Sequence, residues 1–107
     1  YYEGLKDIEE LIVPPSRSDF SHTYTYFPIQ YRDRDVLIKF LMKHCRDLAA
    51  QHYKNNADLE DFREFFQDCP AARAVASELI FLPTYPAYST KQVKRNILMI
   101  REFFGKK

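Results

Sequence analysis

Eight lysines, three histidines and two cysteines are among the side chains here that can bond covalently to a substrate or ligate a metal, and their spacing speaks against the usual forms of that chemistry. Lys39, Lys43, Lys91 and Lys94 fall on the polar sides of predicted helices, and Lys106 and Lys107 end the chain. None has the apolar or cationic setting that activates an amine, so none is assigned as a nucleophile. His22, His44 and His52 have no carboxylate or cysteine partner at helical ligand spacing, so no metal site is predicted. Cys45 and Cys69 lack CxxC spacing and are too few for a disulfide framework, so both read as reduced thiols. No Ser/His/Asp order suggests a nucleophilic triad, and no glycine-rich loop is available to cradle a phosphate.

The most informative elements lie between Cys69 and Phe104. Leu79, Ile80, Phe81 and Leu82 form an apolar run too short for a helix and too uniform for a strand with one wet face, which predicts a strand covered on both sides. Pro83 and Pro86 end it, because neither donates a backbone hydrogen bond and each disfavours helix at the residue before it. Ser89 and Gln92 then have capping-box spacing, with Tyr88 and Val93 as a hydrophobic staple. Val93, Ile97, Ile100 and Phe104 put one apolar side on the helix that follows, while Lys91, Lys94, Arg95 and Arg101 lie elsewhere. Upstream, Cys69 and Pro70 suit a cap and first turn, and Ala71, Ala72, Ala74, Val75 and Ala76 predict a helix packed closely on a sheet.

The earlier half is less sharply punctuated. Tyr2, Leu5 and Ile8 or Ile12 share a helical side before Pro14 and Pro15, and residues 13–19 read as a surface loop. Residues 20–31 are rich in Tyr, Thr and Phe and predict a first strand, with Pro28 at an edge or bulge. His22 and Tyr24 would lie in it, with a weak claim to a substrate or interface role. A helix starts at Asp33 or Asp35, with Val36, Leu37, Phe40, Leu41 and His44 on its apolar side, and ends near Cys45 or Arg46. Leu48 to Tyr53 suggests a short strand running into the turn formers Lys54, Asn55 and Asn56. Leu59, Phe62 and Phe66 would anchor one or two helical turns to the core.

A chain of 107 residues, nearly half hydrophobic, supports one modest core and a single domain. Nine Phe and eight Tyr without Trp make that core aromatic. Sixteen basic against fifteen acidic residues, interspersed, provide no field for DNA or an anionic membrane. No run approaches the about 20 apolar residues a membrane helix needs, and no signal peptide is visible. The chain reads as soluble and cytoplasmic, and its start at Tyr1 suggests a fragment of a longer protein. The fold class expected is α/β, of the two-layer α+β kind, with a small sheet packed against helices.

Three segments carry a family resemblance: HTYTYFPI (22–29), RDLAAQHYKN (46–55) and, most specifically, ELIFLPTYPAYSTKQV (78–93). Over residues 1 to about 104 the chain resembles the DegT/StrS-type aminotransferases, which use pyridoxal 5′-phosphate (PLP) to place an amino group on a nucleotide-linked keto-sugar. The resemblance implies the small C-terminal domain of a type I PLP enzyme, with residues 1–19 as a helix end and connecting loop and 20–107 as the domain. In that family the Schiff-base lysine and the acid facing the pyridine nitrogen belong to the large domain, so the resemblance implies that this fragment binds no PLP and is inactive alone. It also implies a homodimer, a nucleotide-sugar substrate, an amino-acid donor, and a place in polysaccharide or antibiotic-sugar synthesis. Family loops at the position of His52 and Tyr53 approach the substrate, which makes these two the candidate substrate-binding residues: Tyr bonds a sugar hydroxyl or phosphate, and His donates to phosphate oxygens. Lys54 stands where many members have a proline.

Two other readings use the same residues. A small α/β domain also serves as a non-catalytic binding or regulatory module. Lys94, Arg95, Arg101, Lys106 and Lys107 would be the contacts of a nucleic-acid module, although basic residues late in a helix also complement its dipole.

Overall fold

The computed structural model describes residues 1–50 and 54–107. Two four-residue strands, β1 (Phe27–Gln30) and β2 (Leu79–Leu82), pair antiparallel, with Phe27 opposite Leu82 and Ile29 opposite Ile80. Single bridges widen the ladder, Ile12 to Gln30 beyond β1 and Ala49 to Phe81 beyond β2. Four α-helices complete the two-layer α+β fold: α1 (Tyr2–Leu5), α2 (Arg34–Lys43), α3 (Pro70–Glu78) and α4 (Thr90–Phe103). Short 3-10 turns at Asn56–Asp58 and Glu60–Phe65 lie between β1 and β2 in sequence.

One face of the ladder builds the core. Alternation puts Phe27, Ile29, Ile80 and Leu82 on the same side, where they meet Leu5, Ile8 and Leu11 from the start of the chain, Leu37 and Leu41 of α2, and Ile100 of α4. Helix α2 packs on α4, and α1 lies across α4 at Gly4, where an added Cβ would sit 2.7 Å from Ile97 Cγ2. The other face carries Phe81 and Leu79, with the Tyr26 ring tilted against Phe81 at 5.3 Å between centroids.

Local chemistry explains the helix ends. The Ser89 side chain accepts from the Gln92 N–H, which caps α4 as its spacing predicts, but the Gln92 side chain accepts from Arg46 instead of closing the box. Both α2 and α4 end in the same motif. Cys45 N–H bonds Met42 O and Arg46 N–H bonds Leu41 O, just as Gly105 bonds Glu102 and Lys106 bonds Arg101. The residue after each cap is left-handed, with φ of 54° at Cys45 and 64° at Gly105, so a thiol side chain occupies a position that favours glycine.

Several sequence expectations are corrected. Residues 20–26 are not strand: Phe20 and Tyr24 have positive φ, and the Thr84 hydroxyl lies 2.6 Å from the Tyr24 carbonyl and 3.0 Å from that of Thr25. His22 and Tyr24 therefore lie in irregular backbone, where His22 Nδ1 accepts from the Tyr24 N–H at 2.8 Å. The described part of the strand expected over 48–53 is only the bridge at Ala49. Val36 is turned out of the core. Phe62 and Phe66 are exposed and outside the core cluster, and α3 buries no residue, its Ala71, Ala72, Ala74 and Val75 all exposed.

A clamp holds the start of the chain to α4. Arg101 donates to both Asp7 carboxylate oxygens at 2.7 and 3.0 Å and to the Gly4 carbonyl at 3.1 Å. The Arg101 hydrogen bonds hold the Asp7 carboxyl below the usual carboxylate range. A folded-state pKa below the unfolded one makes this contribution to stability complete above about pH 4 and lost as pH falls through the folded value. Acid titration of unfolding in the native chain and in Arg101→Gln checks this: the variant loses part of the stability decline below pH 4, whereas parallel curves would remove the clamp from the account.

Candidate functional site

His52 and Tyr53 lie outside the described residues. Their neighbours do not: Ala50 and Lys54 both line a groove of about 360 Å³, together with Arg34, Asn55, Asp58 and Ala76. Lys54, Asn55 and Ala76 continue into a second groove of about 640 Å³ whose floor is Leu79 and Phe81 and whose wall is the small-residue side of α3, Ala71, Ala72 and Val75. The alanines that were expected to pack on the sheet line open space instead.

Arg34 begins α2, and its side chain is 21% exposed. Its Nη1 donates to the Ala76 carbonyl at 2.9 Å, at the end of α3 where a cation complements the helix dipole, and its Nε donates to Asp35 at 3.1 Å. Asp58 is held from two directions. Arg73 of α3 donates to both of its oxygens at 2.7 and 2.8 Å, and the Asn55 side-chain amide donates at 2.8 Å. Arg73 also reaches Asp68 at 2.8 Å. The Arg73 and Asn55 hydrogen bonds lower the Asp58 pKa, and the two carboxylates raise that of Arg73. The turn following Lys54 is thereby tied to α3, and the groove combines cationic groups at Arg34 and Lys54 with an apolar extension. Such a lining can meet an anionic group joined to a less polar body.

No spacing or motif singled out Arg34, Asp58 or Arg73, because Arg34 reaches Ala76 and Arg73 reaches Asp58 across different elements. Among the described residues no three His, Cys, Asp or Glu side chains are arranged to hold a metal, and no helix is long and apolar enough to cross a membrane. Cys45 and Cys69 are exposed free thiols.

A second polar cluster joins the start of the chain to α4. Asn96 is 1% exposed, and its Nδ2 donates to the Tyr1 hydroxyl at 3.0 Å and the Tyr88 hydroxyl at 2.9 Å, while Tyr1 donates to the Pro83 carbonyl at 3.2 Å. Asn96 Oδ1 has no partner among the described residues. Burial pushes the Tyr1 phenol up to about 12, against the opposing hydrogen bond from Asn96. This arrangement fixes the start of the chain and the turn before α4 in place.

A family model described as the DegT/DnrJ/EryC1/StrS aminotransferase family matches residues 1–101. Among solved structures, a DegT/DnrJ/EryC1/StrS aminotransferase from Brucella abortus superposes with a TM-score of 0.85 at 23% identity, covering 99% of this chain and 29% of that one. DesV of S. venezuelae, solved in complex with a ketimine intermediate, superposes at 0.87 and 21% identity, covering 96% and 29%. The aminotransferase TlmJ from Streptoalloteichus hindustanus superposes at 0.82 and 20%, covering 98% and 29%. At these identities the likeness is one of fold, and the chain spans under a third of each of these proteins. No curated protein matches the chain.

Proposed function

The chain belongs to the DegT/DnrJ/EryC1/StrS aminotransferase family, and from that premise we propose that it is the small C-terminal domain of a PLP-dependent enzyme that transfers an amino group to a nucleotide-linked keto-sugar. The observation that carries this reading is the family match over residues 1–101 in a chain that spans only 29% of its structural relatives. The domain's part is to wall the active site and help bind the nucleotide sugar, in a cytoplasmic homodimer whose other substrate is an amino-acid donor.

The residues of this chain do not fit the cofactor. All eight lysines are exposed. Lys6 is hydrogen-bonded to Glu3 at 2.6 Å, which raises its pKa, the opposite of what a nucleophilic amine requires. PLP and its lysine therefore belong to sequence outside these residues, and the fragment alone is inactive. What this chain supplies is recognition. His52 donates to a phosphate oxygen and Tyr53 to a phosphate or sugar hydroxyl.

Steady-state kinetics of the full-length enzyme test this. His52→Ala and Tyr53→Phe each raise KM for the nucleotide sugar about tenfold, the loss expected for one hydrogen bond to a charged group, and leave KM for the amino donor unchanged. An unchanged KM for the sugar in both variants would remove these residues from the site.

A further inference from the structure

We propose that the face where the end of α2 meets α4 is a binding site for a small organic phosphate, with the oxyanion held by Arg46 and Arg95 and the uncharged part against Leu98 and Met99. These four residues and His44 line a pocket of about 360 Å³ that shares no residue with the grooves beside Ala50 and Lys54. The inference is independent of the function proposed above.

The pocket follows from two local features. Gln92, Arg95, Leu98 and Met99 are spaced to form one stripe along α4. Opposite it, the left-handed Cys45 turns the chain back over the end of α2, so that Arg46 N–H bonds Leu41 O and the Arg46 side chain is half-buried. Arg46 Nε donates to the His44 carbonyl at 3.0 Å and Nη1 to Gln92 Oε1 at 3.1 Å. Both acceptors are neutral, so they fix the guanidinium without cancelling its charge and leave further N–H donors for a ligand.

The contrast with the other arginines is the main observation. Arg34, Arg63, Arg73 and Arg101 each bond a carboxylate. Arg46 and Arg95 have no carboxylate partner among the described residues, although Asp47 adjoins Arg46: its carboxylate accepts from the Tyr85 hydroxyl at 3.3 Å. Arg17 and Arg32 are also without one, but Arg17 stands on an exposed loop and Arg32 shares its pocket with Asp33 and Asp35. Among the described residues, the pocket at the end of α2 brings together two guanidiniums without a carboxylate partner, the group whose planar fork matches a phosphate.

The rest of the lining selects an organic phosphate over the bare ion. Leu98 is 61% exposed at the lip, and the half-buried Met99 is an unbranched, adaptable apolar surface. The His44 ring packs on Phe40 at 4.3 Å and its Nδ1 lies 2.8 Å from the Phe40 carbonyl. A carbonyl oxygen only accepts, so that nitrogen donates, which fixes the ring and leaves its Nε2 edge at the pocket.

The test is a titration of the intact protein, carbon-13 labelled at its methionine methyls, with phenyl phosphate at constant ionic strength. The Met99 signal is assigned by Met99→Leu. It is expected to shift saturably, with apparent affinity about tenfold weaker in Arg46→Gln and in Arg95→Gln, and within about twofold of native in Lys94→Gln, which removes a nearby cation outside the pocket. Inorganic phosphate is expected to bind more weakly than phenyl phosphate. An unmoved Met99 signal, equal losses in all three variants, or equal binding of the two phosphates would each overturn the proposal.

Discussion

Replacing Ile80 by alanine destabilises the chain by about 3 kcal/mol, within the range for deleting a buried branched side chain, and lowers its thermal midpoint by roughly 12–24 °C. Ile80 is fully buried and stands opposite the equally buried Ile29 at the centre of a two-stranded ladder. So narrow a ladder has no stability of its own and depends on the helices over one face. The cavity left by Ile80→Ala opens where β2 meets α2, the helix that in turn packs on α4. Phe65→Ala provides the contrast. Phe65 is 76% exposed, and its loss changes stability by no more than about 0.5 kcal/mol. Urea unfolding of the two variants measures both effects, and a comparable loss from Phe65→Ala would mean that the 3-10 turns carry more of the fold than their exposure indicates.

Asn96→Ala costs about 2 kcal/mol, since one buried amide holds three parts of the chain together. It removes the donors to Tyr1 and Tyr88 and leaves those hydroxyls to find other partners in a half-buried setting. A double-mutant cycle with Tyr1→Phe separates the pair from general loss of packing, with a coupling of about 1 kcal/mol expected. A coupling near zero would reduce Asn96 to a space-filling residue. Burial of the same Tyr1 phenol, against the opposing Asn96 hydrogen bond, gives an alkaline signature. Because the folded Tyr1 phenol titrates at about 12 and an unfolded one near 10, its contribution is complete below pH 10 and lost as pH rises towards 12. Tyr1→Phe removes that part of the alkaline decline.

The second half of the chain was the more legible, for reasons of range. Pro83 ends β2 and Ser89 caps α4 through chemistry confined to neighbouring residues, so spacing alone located β2, the turn and α4. Residues 20–26 have the composition of a strand, but Thr84, about sixty positions away, engages two of their carbonyls while Tyr24 takes a left-handed φ. Helix α3 shows a different limit. Periodicity reports which residues share a side, not whether this chain contains anything to cover it, and Ala71, Ala72 and Val75 line an open groove. Asn96 adjoins an apolar stripe and gave no signal, because one of its partners is Tyr1 at the opposite end of the sequence. The groove residues Arg34 and Asp58 were hidden for the same reason, whereas His52 and Tyr53 entered through family resemblance alone.

The central proposal is that this chain is the domain of a PLP enzyme that does not carry the Schiff-base lysine. The most direct test is to load the full-length protein with PLP, reduce it with borohydride, digest it and map the pyridoxyl label by mass spectrometry. The account predicts a label on one lysine outside these 107 residues. A label on a lysine of this chain, or none on the folded full-length protein, would contradict it.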